Sequence, residues 1–165
     1  MNTLSIFKMF PEVTPMQTLL HYMLALHGVA ATLWIGGMFF AYVVMRPAAI
    51  AVLEPPLRLQ LFQAAFSRFF KWVWIFIVIL LLTGYFGVGA GFGGFTPHLH
   101  VMHTVGLLMC LLFIMLFFAL YLPFSKAVEA QDFPKAGGLL AKIRWVIFAN
   151  LLLGIVNIVV GISGA

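Results

Sequence analysis

The sequence predicts an all-α integral membrane protein, a bundle of four transmembrane helices, on three observations. Hydrophobic residues fill 64% of the 165 positions and charged residues only 8%, where a soluble domain is about a quarter charged. Four apolar runs each approach the roughly 20 residues that cross a bilayer core. Basic residues gather at one end of those runs. A water-facing globular fold is excluded by the mean hydropathy of +1.14. The net charge of +5 is no nucleic-acid footprint, because no basic face forms outside the membrane-embedded segments. The lone Cys110 excludes a disulfide framework and a thiolate cluster.

The spans are expected at residues 18–46, 72–89, 97–122 and 143–162, within a single domain covering residues 1–165. The first is about 42 Å long as a helix, so it must tilt or protrude. Residues 1–15 carry Lys8 and Glu12 and no small-residue cleavage pattern. They are expected to lie in the interface, with Phe7, Met9 and Phe10 toward lipid, rather than to be removed as a signal.

Arg46, Arg58, Arg68 and Lys71 fall between spans one and two; Lys126, Lys135, Lys142 and Arg144 fall between three and four and at the start of four. Eight of nine basic residues therefore share one side, with Lys8 the exception. The positive-inside rule makes that side cytoplasmic. Both termini are then periplasmic, in a bacterial inner membrane. In the first cytoplasmic connection, Pro55-Pro56 opens a helix in which Leu57, Leu61, Phe62, Ala65, Phe66, Phe69 and Phe70 recur at helical spacing. That amphipathic helix runs on into span two. Residues 130–141 read as a shorter polar connection, its helix limited by Pro134 and Gly137-Gly138.

All five histidines lie toward the outer ends of spans one and three: His21 and His27 in the first, His98, His100 and His103 in the third. An imidazole in hydrocarbon is costly and faces the bundle interior. Counting from Leu19 and Pro97, His27 lies about 12 Å deep, His103 about 9 Å and His100 about 4.5 Å. His100 and His103 are about 60° apart on the helical wheel and share a face; His98 points about 160° from His100. His21 and His98 lie nearer the water. Two histidines on facing helices are what a six-coordinate haem b requires, with His27 on one side and His100 or His103 on the other. Such a slot needs small residues. Gly84, Gly87 and Gly91 supply them in span two, Gly106 in span three, and Asn150, Gly154, Asn157 and Gly161 form a stripe on span four. Asn157 and Gly161 fall beside the expected site, although ordinary close helix packing also favours such a stripe.

Met38, Met102, Met109 and Met115, with Cys110, offer soft sulfur for copper, though methionine is equally a core filler. Glu12, Glu54, Glu129 and Asp132 all lie outside the apolar spans, so no intramembrane carboxylate serves a proton relay. No nucleophile–base pair or phosphate-cradling loop is present.

The segment Leu26-His27 followed by Trp34-Ile35-Gly36-Gly37 resembles the CopD-type family of small membrane proteins, and the likeness covers nearly the whole chain. The same first-span pattern is similar to the HemJ-type protoporphyrinogen oxidases, four-helix proteins that bind haem b. Their third-span motif corresponds to Leu99-His100-Val101-Met102, with Met102 in place of a lysine. The resemblance implies His100 as the partner of His27. The Leu-Pro-Arg that follows the tryptophan in that group has no counterpart, since Arg46-Pro47 comes later and reversed.

The leading expectation is a b-type haem protein that passes single electrons near the periplasmic face. In it His27 and His100 are axial ligands, and His103 either replaces His100 or bonds a propionate. Trp34 packs beneath the cofactor or fills the core, and Asn157 lies beside it. Its partners are the bilayer and a membrane redox protein or respiratory complex, and its enzyme class, if any, is oxidoreductase. The alternatives are a copper-handling protein using the five histidines with methionine sulfur, a HemJ-like porphyrinogen oxidase, and a cofactor-free accessory subunit.

Overall fold

The computed structural model describes residues 14–90 and 96–164. Four helices long and apolar enough to cross a membrane follow one another in it: α1 (Pro15–Val52), α2 (Pro55–Ala90), α3 (Pro97–Glu129) and α4 (Phe133–Ser163). There is no strand among the described residues. The chain is a multi-pass, all-α membrane protein. Each helix exceeds the expected span, and at 38 residues α1 is about 57 Å long against a core of about 30 Å. Residues 1–13 of the interfacial segment expected over 1–15, and Gly91, lie outside the described residues.

Local chemistry sets the boundaries. Thr14 caps α1: its hydroxyl accepts from the Gln17 N–H while the Gln17 side chain accepts from the Thr14 N–H. Leu53 is extended, and Glu54 also lies outside the helices, as suits the residue before Pro55, where a proline disfavours helical backbone. The amphipathic stretch from Pro55 is one continuous helix with span two. Between α3 and α4 only residues 130–132 intervene, so the longer connection expected over 130–141 is corrected. Asp132 accepts from the Lys135 N–H and starts α4. Pro134 sits in the first turn, where no N–H is required, and Gly137-Gly138 lies inside the helix. Gln131, at φ 57°, turns the chain out of α3, with the Asp132 N–H returning to the Ala127 carbonyl.

Two wide turns interrupt the α-helical register, Phe40–Met45 in α1 and Leu116–Tyr121 in α3. Each ends two residues before a proline, Pro47 or Pro123. The proline ring crowds the carbonyl four residues back and removes one hydrogen bond. A π-helical turn relieves that crowding, with Arg46 bonding Ala41 and Leu122 bonding Phe117.

α1 packs chiefly on α2, and α3 on α4. The first five turns of α3 make their extensive backbone approach to α4 rather than to α1 or α2. At mid-bundle and toward the basic end, rings fill the gap between α2 and α3. Phe70 meets Phe113 edge-on at 5.4 Å and Tyr121 at 5.0 Å, and Trp74 meets Phe113 at 5.3 Å. Gln63 on α2 donates to the Ser125 carbonyl and hydroxyl and to Glu129 on α3. Outward from Phe113 the described residues place one ring pair across the gap, Tyr85 against His103 at 5.2 Å, and a cavity remains beside it.

Candidate functional site

That cavity, about 600 Å³, lies at the histidine end and is lined by all four helices. From α1 come Leu24, His27, Ala31, Trp34 and Ile35. Their spacing puts them on one face of the helix, alongside the buried stripe of Ala30, Trp34 and Met38. Thr83, Gly84 and Tyr85 come from α2; His98, Met102, His103 and Gly106 from α3; Asn157 and Gly161 from α4. The wall is mostly apolar, with a few polar groups, the usual make-up of a small-molecule site. Its volume falls within the roughly 300–1,000 Å³ of such sites.

His27 is the best-positioned polar side chain on this wall. Its Nδ1 lies 2.8 Å from the Thr83 hydroxyl oxygen, which itself lies 2.6 Å from the Ile79 carbonyl. A carbonyl only accepts, so the single hydroxyl proton of Thr83 goes to Ile79, and the hydroxyl oxygen accepts from His27. In the tautomer that satisfies both bonds, Nδ1 carries the ring proton and Nε2 the lone pair. Fixing one ring nitrogen through a hydrogen bond is how proteins orient a ligating imidazole. Gly84 leaves room beside the ring: a methyl group there would meet His27 Cε1 at 3.5 Å, an ordinary contact.

His103, half-buried, lies on the α3 wall. Its Nε2 is 3.3 Å from the Tyr85 hydroxyl, and the two rings meet edge-on at 5.2 Å. His98 also reaches the wall, with Thr96 Oγ 3.1 Å from its Nδ1. His100 is exposed and does not line the cavity; its Nδ1 bonds the Thr96 carbonyl at 3.1 Å. His21 is exposed on α1. A 60° step around α3 thus separates His103, at the cavity edge, from His100.

Trp34 is 3% exposed and meets Phe113 edge-on at 6.3 Å. With Met109 and Cys110 it marks the deep end of the cavity. Asn157 is on the opposite wall, and its side-chain Oδ1 is buried without a partner. A buried amide oxygen left unpaired is costly and points to a polar group that completes it. Met102 lies within contact of Gly161. Among the described residues no three His, Cys, Asp or Glu side chains converge on a metal, so the five histidines do not form one cluster there.

Sequence reasoning did not single out Thr83 and Tyr85. The signal was present: they are the only hydroxyl-bearing residues between Trp72 and Ala90, and a polar side chain in such a run faces the bundle or the cavity.

The profile of a family described as a domain of unknown function (DUF4149) matches residues 29–134, well over half of the chain. The chain belongs to the DUF4149 family. An uncharacterized protein of Aquifex aeolicus (strain VF5) is 29% identical over 140 residues, covering 84% of this chain and 90% of that relative. No solved structure matches. The DUF4149 match takes in Trp34, Thr83, Gly84, Tyr85 and the three α3 histidines; it begins two residues after His27 and stops before Asn157.

Proposed function

We propose that this protein is a membrane-bound b-type haem protein that carries single electrons, held by His27 and His103 in the cavity at the histidine end. One observation carries the reading: imidazoles from α1 and α3 line the same apolar cavity, and Thr83 leaves the Nε2 lone pair of His27 available. A b-type haem bound there supplies reversible one-electron transfer at its iron. Thr83 holds the His27 ring in orientation, and a ligand bound at His103 Nε2 would take the place of its Tyr85 contact. Gly84 and Gly106 keep the walls apart, and the Asn157 amide offers a hydrogen bond to a polar edge of the ligand. Trp34 and the leucines exclude water from the deep end.

The concentration of basic residues at the opposite end supports a cytoplasmic assignment for that end. The haem would then lie toward the periplasmic face of a bacterial inner membrane, where a membrane redox protein or respiratory complex would exchange electrons with it. The first-span likeness to HemJ-type proteins supports the haem reading, while the likeness to CopD-type proteins supports copper handling.

Copper handling is the second reading, favoured by Met102, Met109 and Cys110, which line the same cavity as the two histidines. Purification from haem-replete cells separates the two. The expected result is about one haem b per chain by pyridine haemochrome, with a Soret band that sharpens on dithionite reduction and is lost in His27→Ala. Colourless protein with stoichiometric copper would replace this reading with the second. Protein carrying neither would overturn both.

A further inference from the structure

A second cavity, about 260 Å³, opens between α1, α2 and α4 at the basic end, far along the helices from His27. Arg46 of α1, Arg58 of α2 and Arg144 of α4 all line it, and all three are half-buried. No ion pair to any of them forms among the described residues. The nearest acidic residues in sequence, Glu54 and Asp132, are exposed and outside the lining. Arg144 also lies 5.6 Å above the ring of Trp145, a contact that leaves its positive charge in place. Three arginines lining one partly desolvated cavity, with no carboxylate in its lining, suit an anion there. Planar N–H forks suit phosphate oxygens especially well.

We propose that this cavity holds the phosphate of an anionic phospholipid. The rest of the wall chooses a lipid over a soluble phosphate: Ile50, Leu59, Phe62, Phe66, Leu140 and Ile147 are apolar and suit glycerol and acyl carbons. The volume lies below the roughly 300 Å³ at which drug-sized sites begin, a size for a headgroup rather than a whole lipid. Arg46 closes the first expected span and Arg144 stands at the start of the fourth, the level at which phospholipid phosphates lie.

The test uses the full chain in neutral detergent, titrated separately with dioleoyl-phosphatidylglycerol, dioleoyl-phosphatidylcholine and inorganic phosphate. Bound lipid is counted by native mass spectrometry and stability is followed by thermal unfolding. One tightly held phosphatidylglycerol per chain is expected, weakened about tenfold in each of Arg46→Gln, Arg58→Gln and Arg144→Gln. Lys142→Gln removes the same charge from outside the cavity and should leave binding unchanged. Equal retention of the two lipids by the unmodified chain would overturn the proposal, and that comparison stands even if a variant fails to accumulate. So would a loss in Lys142→Gln matching that in Arg144→Gln, or equal stabilisation by inorganic phosphate.

Discussion

The gap between α2 and α3 is treated in two different ways along its length. Toward the basic end it is filled by Phe70, Trp74, Phe113, Phe117 and Tyr121, and tied by Gln63, Ser125 and Glu129. Toward the histidine end the same two helices contribute Gly84, Val88, Gly106 and Leu107, and about 600 Å³ is left between the walls. In lipid, helices associate through packing and interhelical hydrogen bonds rather than through expulsion of water. The contrast teaches that a block of rings ties α2 to α3 at one end, while at the other the contact narrows to Tyr85 and His103 beside an open cavity. A cavity bordered by a well-packed aromatic block keeps its shape, and imidazoles from two helices line it.

Filling the open end should have the largest effect. Gly84→Leu places a branched side chain beside His27, so haem content should fall at least about tenfold while the bundle still forms, because the aromatic block is untouched. Haem-to-protein ratio together with helical circular dichroism checks both halves of that expectation. Thr83→Val keeps the shape but removes the acceptor for His27 Nδ1. Loss of such an orienting partner weakens ligation about 10–100-fold, which haem transfer to apomyoglobin will measure.

Phe124 is fully buried in the packed end. Phe124→Ala should cost about 3 kcal/mol, the low end for such truncations because lipid replaces water as the alternative surroundings. Unfolding in mixed detergent should register that loss, and the spectrum of the protein that remains folded should be unchanged. A shifted Soret band would mean that the two ends are not independent. The smallest effect is expected at Gln131, whose φ of 57° costs a non-glycine residue about 1 kcal/mol. Gln131→Gly should raise the unfolding midpoint slightly and leave haem binding alone.

The packed end was largely legible in the sequence. Pro55-Pro56 and the recurring phenylalanines marked the helix that runs into span two, and the run lengths marked four spans. Pro134 and Gly137-Gly138 misled the reading of the last connection, because a proline in a first turn behaves unlike one in a helix interior. At the open end the histidines drew attention through their cost in hydrocarbon, but helical-wheel arithmetic put His100 and His103 on one face. Only the placement of α3 against α4 separates them, and that depends on packing among all four helices. Thr83 was hidden for a related reason: its role comes from a hydrogen bond to a residue 56 positions away.

Electron paramagnetic resonance of the oxidised, haem-loaded protein tests the central claim most directly, with His100 and His103 each replaced by alanine. The unmodified protein should give a low-spin signal from two imidazole ligands. His103→Ala should convert it to high spin, and His100→Ala should leave it as it was. A high-spin signal in His100→Ala with His103→Ala unchanged would contradict the cavity-based assignment.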